Sequence, residues 1–357
     1  MRVLVAMSGG VDSSVAAAIL RDEGHAVVAC TLRLWGGESD SGCCSAADVD
    51  DARRVAQVLG IDHHVFNLAD RFEADVVDPY VVAHARGETP NPCVACNRSI
   101  KFGALLERAD RLGFDALATG HHARVVRTAG GVTLRRGKDP AKDQSYVLGF
   151  LGAAQLDRLL LPVGELTKDD VRTLAHALGL RTAGKPDSQE VCFIPRGGRG
   201  RFLAARTVLT PGSVVDRATG VQLGMVPAVE LVTVGQRRGI GTGRDGSPRF
   251  VAAVDVAAAT VVVTTREDLD VERLALAPGS LSWTGPDPQG PMTVLTQTSA
   301  HGTAVAATLQ LGDAPHVDLH RPVRPVAPGQ LAVFYDLDDP ERVLGAATVV
   351  QRVRAAA

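Results

Sequence analysis

The sequence has no apolar run approaching the ~18 consecutive residues that a membrane helix needs. Its opening stretch, Met1 to Met7, gives way to Ser8-Gly9-Gly10 too soon for a signal peptide. A cytoplasmic protein without a membrane partner is expected. An excess of positive charge is also missing: 38 Lys and Arg face 40 Asp and Glu, a net charge of −2. No global field draws the chain to nucleic acid, so any such binding must use local patches. Arg135, Arg136, Lys138 and Lys142 form one candidate patch; Arg196, Arg199, Arg201 and Arg206 form a second, and Arg237 and Arg238 a third. The alternative for each is an ordinary solvated surface. Cysteine is scarce, six in 357 residues, which in a cytosolic chain of this size is no disulfide framework. Cys30, inside the apolar "HAVVACTLRL", reads as a packed core thiol. Cys43, Cys44, Cys93, Cys96 and Cys192 need another account.

What is present is a regular texture that changes once. At ~150 residues each, the length suggests two to three domains. The first half alternates strand and helix. Residues 2–7 form a continuous apolar strand, as in a parallel sheet covered on both faces. A helix follows from about Asp12 to Glu23, stopped by Gly24. "SAADVDDARRVAQVLG" reads as a second helix, with Ser45 as N-cap, Asp48 three residues on and Gly60 at its end. A helix over about 70–86, a cysteine loop, a helix from Arg98 to Leu112 and the strand "DALATG" continue the pattern. "LTKDDVRTLAHALGL" is capped by Thr167 and Asp170. This is a doubly wound α/β domain. After about Arg206, short valine-rich strands between glycine and proline turns read as antiparallel sheet or barrel. "PGSLSWTGPDPQGP" reads as a loop between them. No internal repeat is visible.

"AMSGGVDSS", Ala6 to Ser14, closes the first strand and opens the first helix. Glycines let the backbone approach a ligand, and helix N-terminal amides point at an anion. Ser8, Ser13 and Ser14 add hydroxyl donors, and Asp12 can hold a magnesium ion shared with phosphate oxygens. Two common phosphate motifs are absent: there is no lysine for Gly-x-x-x-x-Gly-Lys-Ser/Thr, and no Gly-x-Gly-x-x-Gly. Ser-Gly-Gly-Val-Asp-Ser-Ser after a first strand resembles the PP-loop of the ATP pyrophosphatase superfamily, whose members activate a carbonyl oxygen as its adenylate.

The PP-loop, "TPNPCVACN", "ATGHHAR", "KDQSYVL", "DSQEVCFIP" and "GQRRGIG", in this order, resemble the tRNA-specific 2-thiouridylase family along nearly the whole chain. That resemblance implies a PP-loop (adenine nucleotide α-hydrolase-like) domain over 1–205, a small β-rich linking domain over 206–272 and a C-terminal antiparallel β-barrel over 273–357. It implies ATP and magnesium as cofactors. The partners it implies are a tRNA, through its wobble uridine, and a cysteine desulfurase or sulfur-relay protein as sulfur donor. Ala6, Met7, Ser8, Gly9, Gly10, Val11, Asp12 and Ser13 would hold ATP, with Leu32 and Gly120 on the adenine side. Asn91, Pro92 and Cys93 match the segment that meets the target base; Lys142, Asp143 and Gln144 match a tRNA-contacting segment. Cys192 would carry a persulfide and Cys96 would release its sulfur. A uridine carbonyl is a poor electrophile until adenylated, and a thiolate or persulfide is a suitable nucleophile for it. Cys96, read as lying just before a helix, would have its thiolate favoured by the amide dipoles. His121 and His122 read as pocket-wall or packing residues.

Three positions depart from the family pattern. Cys93 stands where many relatives have aspartate, Leu32 where they often have methionine, and Ser299 near a usual arginine. Cys93 leaves alternatives open. Cys93, Cys96 and Cys192 could ligate an iron–sulfur cluster, or zinc could be shared with Cys43 and Cys44; Cys-x-x-Cys is compatible with either. Two other functions compete. A PP-loop ligase passing nitrogen to a small molecule would not need Cys96 or Cys192. A zinc-stapled RNA-binding module would show no conversion of ATP to AMP.

Overall fold

The computed structural model describes residues 1–34, 45–186, 191–194 and 197–351. Cys43, Cys44, Arg196 and the "DSQE" of the Cys192 motif lie outside them. Among the described residues no helix is long and apolar enough to cross a membrane.

The N-terminal part is built on a parallel sheet. Its strands β1 (Arg2–Ala6), β2 (Ala26–Arg33), β3 (Asp62–Asn67) and β4 (Ala116–Thr119) run in the order β3-β2-β1-β4, with the short strand Leu159–Leu160 beyond β4. Side chains alternate across β1. Val3 and Val5 join the core under α1 (Val11–Asp22) and α2 (Ala46–Leu59). Leu4, Cys30 and Leu32 join the opposite core with the helical runs 69–85 and 92–111. Each such aliphatic side chain contributes about 2 kcal/mol on burial, so the continuous apolar run reflects two covered faces. The expected caps are present. Ser45 and Asp48 form a capping box ahead of α2, Gly60 ends it at φ 68°, and Thr167 with Asp170 caps the helix Lys168–Ala177.

The chain order reverses between β1 and β4, so a crevice opens at their carboxyl ends, the usual ligand position in such sheets. Ala6 ends β1, Gly120 directly follows β4, and Leu32 is the last residue but one of the neighbouring β2. The linking part holds a four-stranded sheet of Phe250–Asp255, Thr260–Thr264, Gly212–Asp216 and Gln222–Val226 around its own valine core. The C-terminal barrel is antiparallel. Val271–Leu276, His316–Val323, Val305–Gln310, Met292–Gln297, Leu331–Tyr335 and Arg342–Gln351 pair in turn, and the last closes on the first.

Two features differ from the sequence reading. The segment 278–291, expected to be a loop, contains the strand Ser282–Trp283, which pairs with Ala346 and Gly345. A hairpin, Ala123–Thr128 with Gly131–Arg136, leaves the N-terminal part and extends the barrel sheet, Arg135 opposite Arg342 and Leu134 opposite Val343. Its short strands carry four arginines, so no clean apolar alternation announced them.

Candidate active site

Gly9 has φ 73°, and a Cβ there would meet Asp48 O at 2.4 Å. A Cβ on Gly120 would meet Ser13 N at 2.5 Å. Glycine is therefore required at both positions, one for a left-handed turn pressed on α2 and one for close approach of β4 to α1. Gly10 is the N-cap of α1 and has no side chain to satisfy the first-turn amides. The expectation that three serine hydroxyls face the ligand is corrected. Ser13 and Ser14 donate their hydroxyls to Gly10 O at 3.1 and 2.8 Å, and Ser13 Oγ also accepts from Ser8 N at 3.1 Å. Both shape the loop from inside, while Ser8 is exposed at its rim. Met7 and Val11 point into the core, so only their backbone can reach a ligand.

Asp12 is not alone. Lys168 Nζ lies 2.8 Å from both of its carboxylate oxygens, and His122 Nε2 lies 3.0 Å from Oδ1. Burial works to raise the Asp12 pKa, but the bonds from His122 and Lys168 win and hold it below the ordinary carboxylate value. His122 is thus more than packing, whereas His121 is packing: it is buried against Phe102, bonded to Thr119, and burial drives its pKa well below the ordinary value. A second lysine pins the loop. Lys185 Nζ donates to Gly9 O at 3.0 Å, Asp48 Oδ1 at 2.6 Å and Asp51 Oδ2 at 2.9 Å. His122 follows two residues after Gly120 and could have been found from that spacing. Lys168 and Lys185 lie far down the chain with no local signal beyond a helix cap.

The glycine cradle and uncapped amides fit a triphosphate. Asp12 Oδ2 accepts from Lys168 but not from His122, so a lone pair remains for a magnesium ion held mainly by phosphate oxygens.

The cysteine loop corrects another expectation. The helical run begins at Pro92, not Arg98, with the Asn91 side chain accepting from Cys93 N at 3.0 Å. Cys96 therefore sits inside the helix, its own N–H bonded to Pro92 O, and the amide-rich end belongs to Cys93. At Cys96 the helix widens into a π-helical stretch, Cys96–Ala104, a local irregularity that recurs at functional sites. Cys96 is buried, Cys93 exposed and Cys192 half-buried. Cys96 and Cys192 border one apolar core, next to Phe193, which packs edge-on against Phe72 and Tyr80. Among the described residues no three His, Cys, Asp or Glu side chains gather as a metal-holding group. Cys93, Cys96 and Cys192 are not assembled for a cluster in this conformation.

Within the segment 142–144, Gln144 Oε1 accepts from His122 N at 2.9 Å, which ties this loop to the Asp12 site. Asp143 turns inward: it accepts from Gly137 N, Ser145 N, Ser145 Oγ and the Arg136 guanidinium. Lys142 is half-buried. Arg135 and Arg136, expected in a basic patch, are spent on the barrel: Arg135 pairs with Asp339 and Glu341, Arg136 with Gln297. Arg199 donates to Leu231 O, and Arg206 lies over the Phe202 ring. Arg237 and Arg238 remain exposed between Gly235 and Gly239, both at positive φ.

Comparison with known proteins agrees with this organisation. Residues 1–196 match the family described as tRNA methyl transferase HUP domain, 200–265 its PRC-barrel domain, and 274–349 an aminomethyltransferase beta-barrel domain. A tRNA-specific 2-thiouridylase of Acidothermus cellulolyticus is 48% identical, over 100% of this chain and 99% of its own length. One from Mycolicibacterium vanbaalenii is 50% identical over 98% of this chain and 99% of its own. A solved U34-tRNA thiolase of Methanococcus maripaludis, with its 4Fe-4S cluster, is 19% identical at a TM-score of 0.36, covering 57% of this chain and 65% of that one. With near-half identity along its full length, the chain belongs to the tRNA-specific 2-thiouridylase family.

Proposed function

We propose that this protein is a cytoplasmic, ATP-dependent tRNA uridine 2-sulfurtransferase. The glycine loop, with Ala6 to Ser13, holds ATP, and Leu32 and Gly120 border the adenine. Asp12 would help hold a magnesium ion, which would supply charge neutralisation for the leaving pyrophosphate. The C2 oxygen of the wobble uridine attacks the α-phosphorus, the bond to pyrophosphate breaks, and the base becomes an adenylate. The terminal sulfur of a Cys192 persulfide, loaded by a cysteine desulfurase or sulfur-relay protein, attacks C2 and displaces AMP. Cys96 thiolate then attacks the inner sulfur of Cys192. The S–S bond breaks, 2-thiouridine leaves, and the two cysteines form a disulfide that a cellular thiol reduces.

Asn91, Pro92 and Cys93 lie beside the target base, and Lys142, Asp143 and Gln144 order the loop that meets tRNA. In this reading residues 1–205 perform the chemistry, 206–272 link, and 273–357 grip the tRNA. The observation that carries it is the glycine-cradled mouth at the carboxyl ends of β1 and β4, beside a core bordered by Cys96 and Cys192. Incubation with ATP labelled at the α-phosphate and unmodified tRNA tests it. AMP release that requires tRNA is expected; release of ADP, or AMP release indifferent to tRNA, would contradict it.

A further inference from the structure

We infer that Lys168 is the cation that lets the mouth of the glycine loop hold the polyphosphate of ATP, facing the pyrophosphate as it leaves. This rests on the adenylation reading above. The first turn of α1 favours anions through its amides, yet that turn carries a carboxylate, Asp12. An uncompensated carboxylate there would repel a triphosphate. The loop itself contains no lysine. Lys185 reaches the loop from outside, but its ammonium is engaged by Gly9 O, Asp48 and Asp51.

Lys168 cancels the carboxylate. Its Nζ is equidistant, at 2.8 Å, from the two Asp12 oxygens, and the residue is only 8% exposed. Local structure fixes it there. It is the first residue of the helix Lys168–Ala177, behind the Thr167 capping box, and its backbone N–H donates to Asp139 Oδ2 at 3.0 Å. That helix packs on α1, and Val171 and Ala175 share a core with Val11 and Val15. An ammonium held this way needs no rearrangement to meet an incoming polyphosphate, which is what electrostatic preorganisation requires. The same ammonium lies where negative charge grows as the phosphorus–oxygen bond breaks.

Equilibrium binding of ATP and of AMP, with magnesium, to the full-length protein tests the assignment. Lys168→Met should weaken ATP binding by about tenfold or more and AMP binding by less than about threefold, since AMP lacks the outer phosphates. Lys168→Arg should stay within about threefold of the parent for both nucleotides. Unchanged ATP affinity in Lys168→Met overturns the inference. So does equal loss of ATP and AMP, which is the behaviour of a scaffold residue. If Lys168→Met does not fold, Lys168→Gln, which keeps a donor to Asp12 without the charge, carries the test, and an ATP loss no greater than its AMP loss overturns the inference. A parent protein that binds ATP yet releases no AMP with unmodified tRNA refutes the adenylation reading instead.

Discussion

The guanidinium of Arg136 lies 3.7 Å from the ring centroid of Tyr335, joining the hairpin of the N-terminal part to the barrel. The same group donates to Asp143 Oδ2 at 2.9 Å, Gln297 Oε1 at 2.7 Å and Pro340 O at 3.1 Å. Tyr335 in turn lies 3.1 Å from Ser145 Oγ, whose hydroxyl also bonds Asp143. Arg136→Ala strips this cluster of its donor and leaves the inward Asp143 carboxylate short of a partner. A loss of about 2–4 kcal/mol is expected, from charge-assisted hydrogen bonds and cation–π contact together. Urea unfolding measures it. Lys should restore little, because a point charge cannot reproduce the fork.

Gly120→Ala should damage nucleotide binding more than stability. Its Cβ would lie 2.5 Å from Ser13 N and 2.6 Å from the Asp12 carbonyl carbon, both backbone atoms of the first turn of α1. The turn must retreat, which displaces the amides and Asp12. ATP affinity measured by calorimetry should fall by about tenfold or more, as expected when preorganised donors shift. Affinity equal to the parent would show that β4 does not border the nucleotide.

The two cysteines should separate the two half-reactions. Cys192→Ser should still convert ATP to AMP with tRNA but leave the uridine unthiolated. Cys96→Ser should load sulfur on Cys192 and then stall, so the persulfide accumulates and is seen in the intact mass of the protein. Equal thiolation in either variant contradicts the role given to that residue.

Much of this was legible in the sequence for identifiable reasons. The continuous apolar run of β1 signals a sheet covered on both faces, and Ser45, Gly60, Thr167 and Asp170 mark helix ends through local chemistry. Local signals fail where partners are distant. Lys168 reads only as a residue after a helix cap, since its contact with Asp12 spans 156 positions. The hairpin at 123–136 was hidden because its arginines pair with barrel residues such as Asp339 and Glu341 some two hundred positions away. The start of the cysteine helix was misplaced because Pro92 resembles a loop signal, although proline suits the first turn of a helix.

Cys30 should behave unlike the cysteines of the site. It is fully buried, and burial pushes its thiol up to about 12 from an ordinary 9.0, with Arg108 opposing weakly. The folded state therefore favours the protonated thiol. Its contribution to stability is complete below pH about 9 and is lost as pH rises from there toward about 12. Iodoacetamide at pH 8 should label Cys93 in the native protein but Cys30 only after unfolding, read by peptide mass spectrometry. Native labelling of Cys30 would contradict its place in the core.

The most direct test is thiolation of unmodified tRNA by anaerobically purified protein given ATP and a cysteine desulfurase, with nucleosides read by mass spectrometry and iron assayed on the same sample. The account predicts 2-thiouridine at the wobble position, formed by protein without bound iron and abolished in Cys192→Ser. Activity that rises and falls with about four irons per chain, as a cubane cluster requires, would contradict the persulfide route.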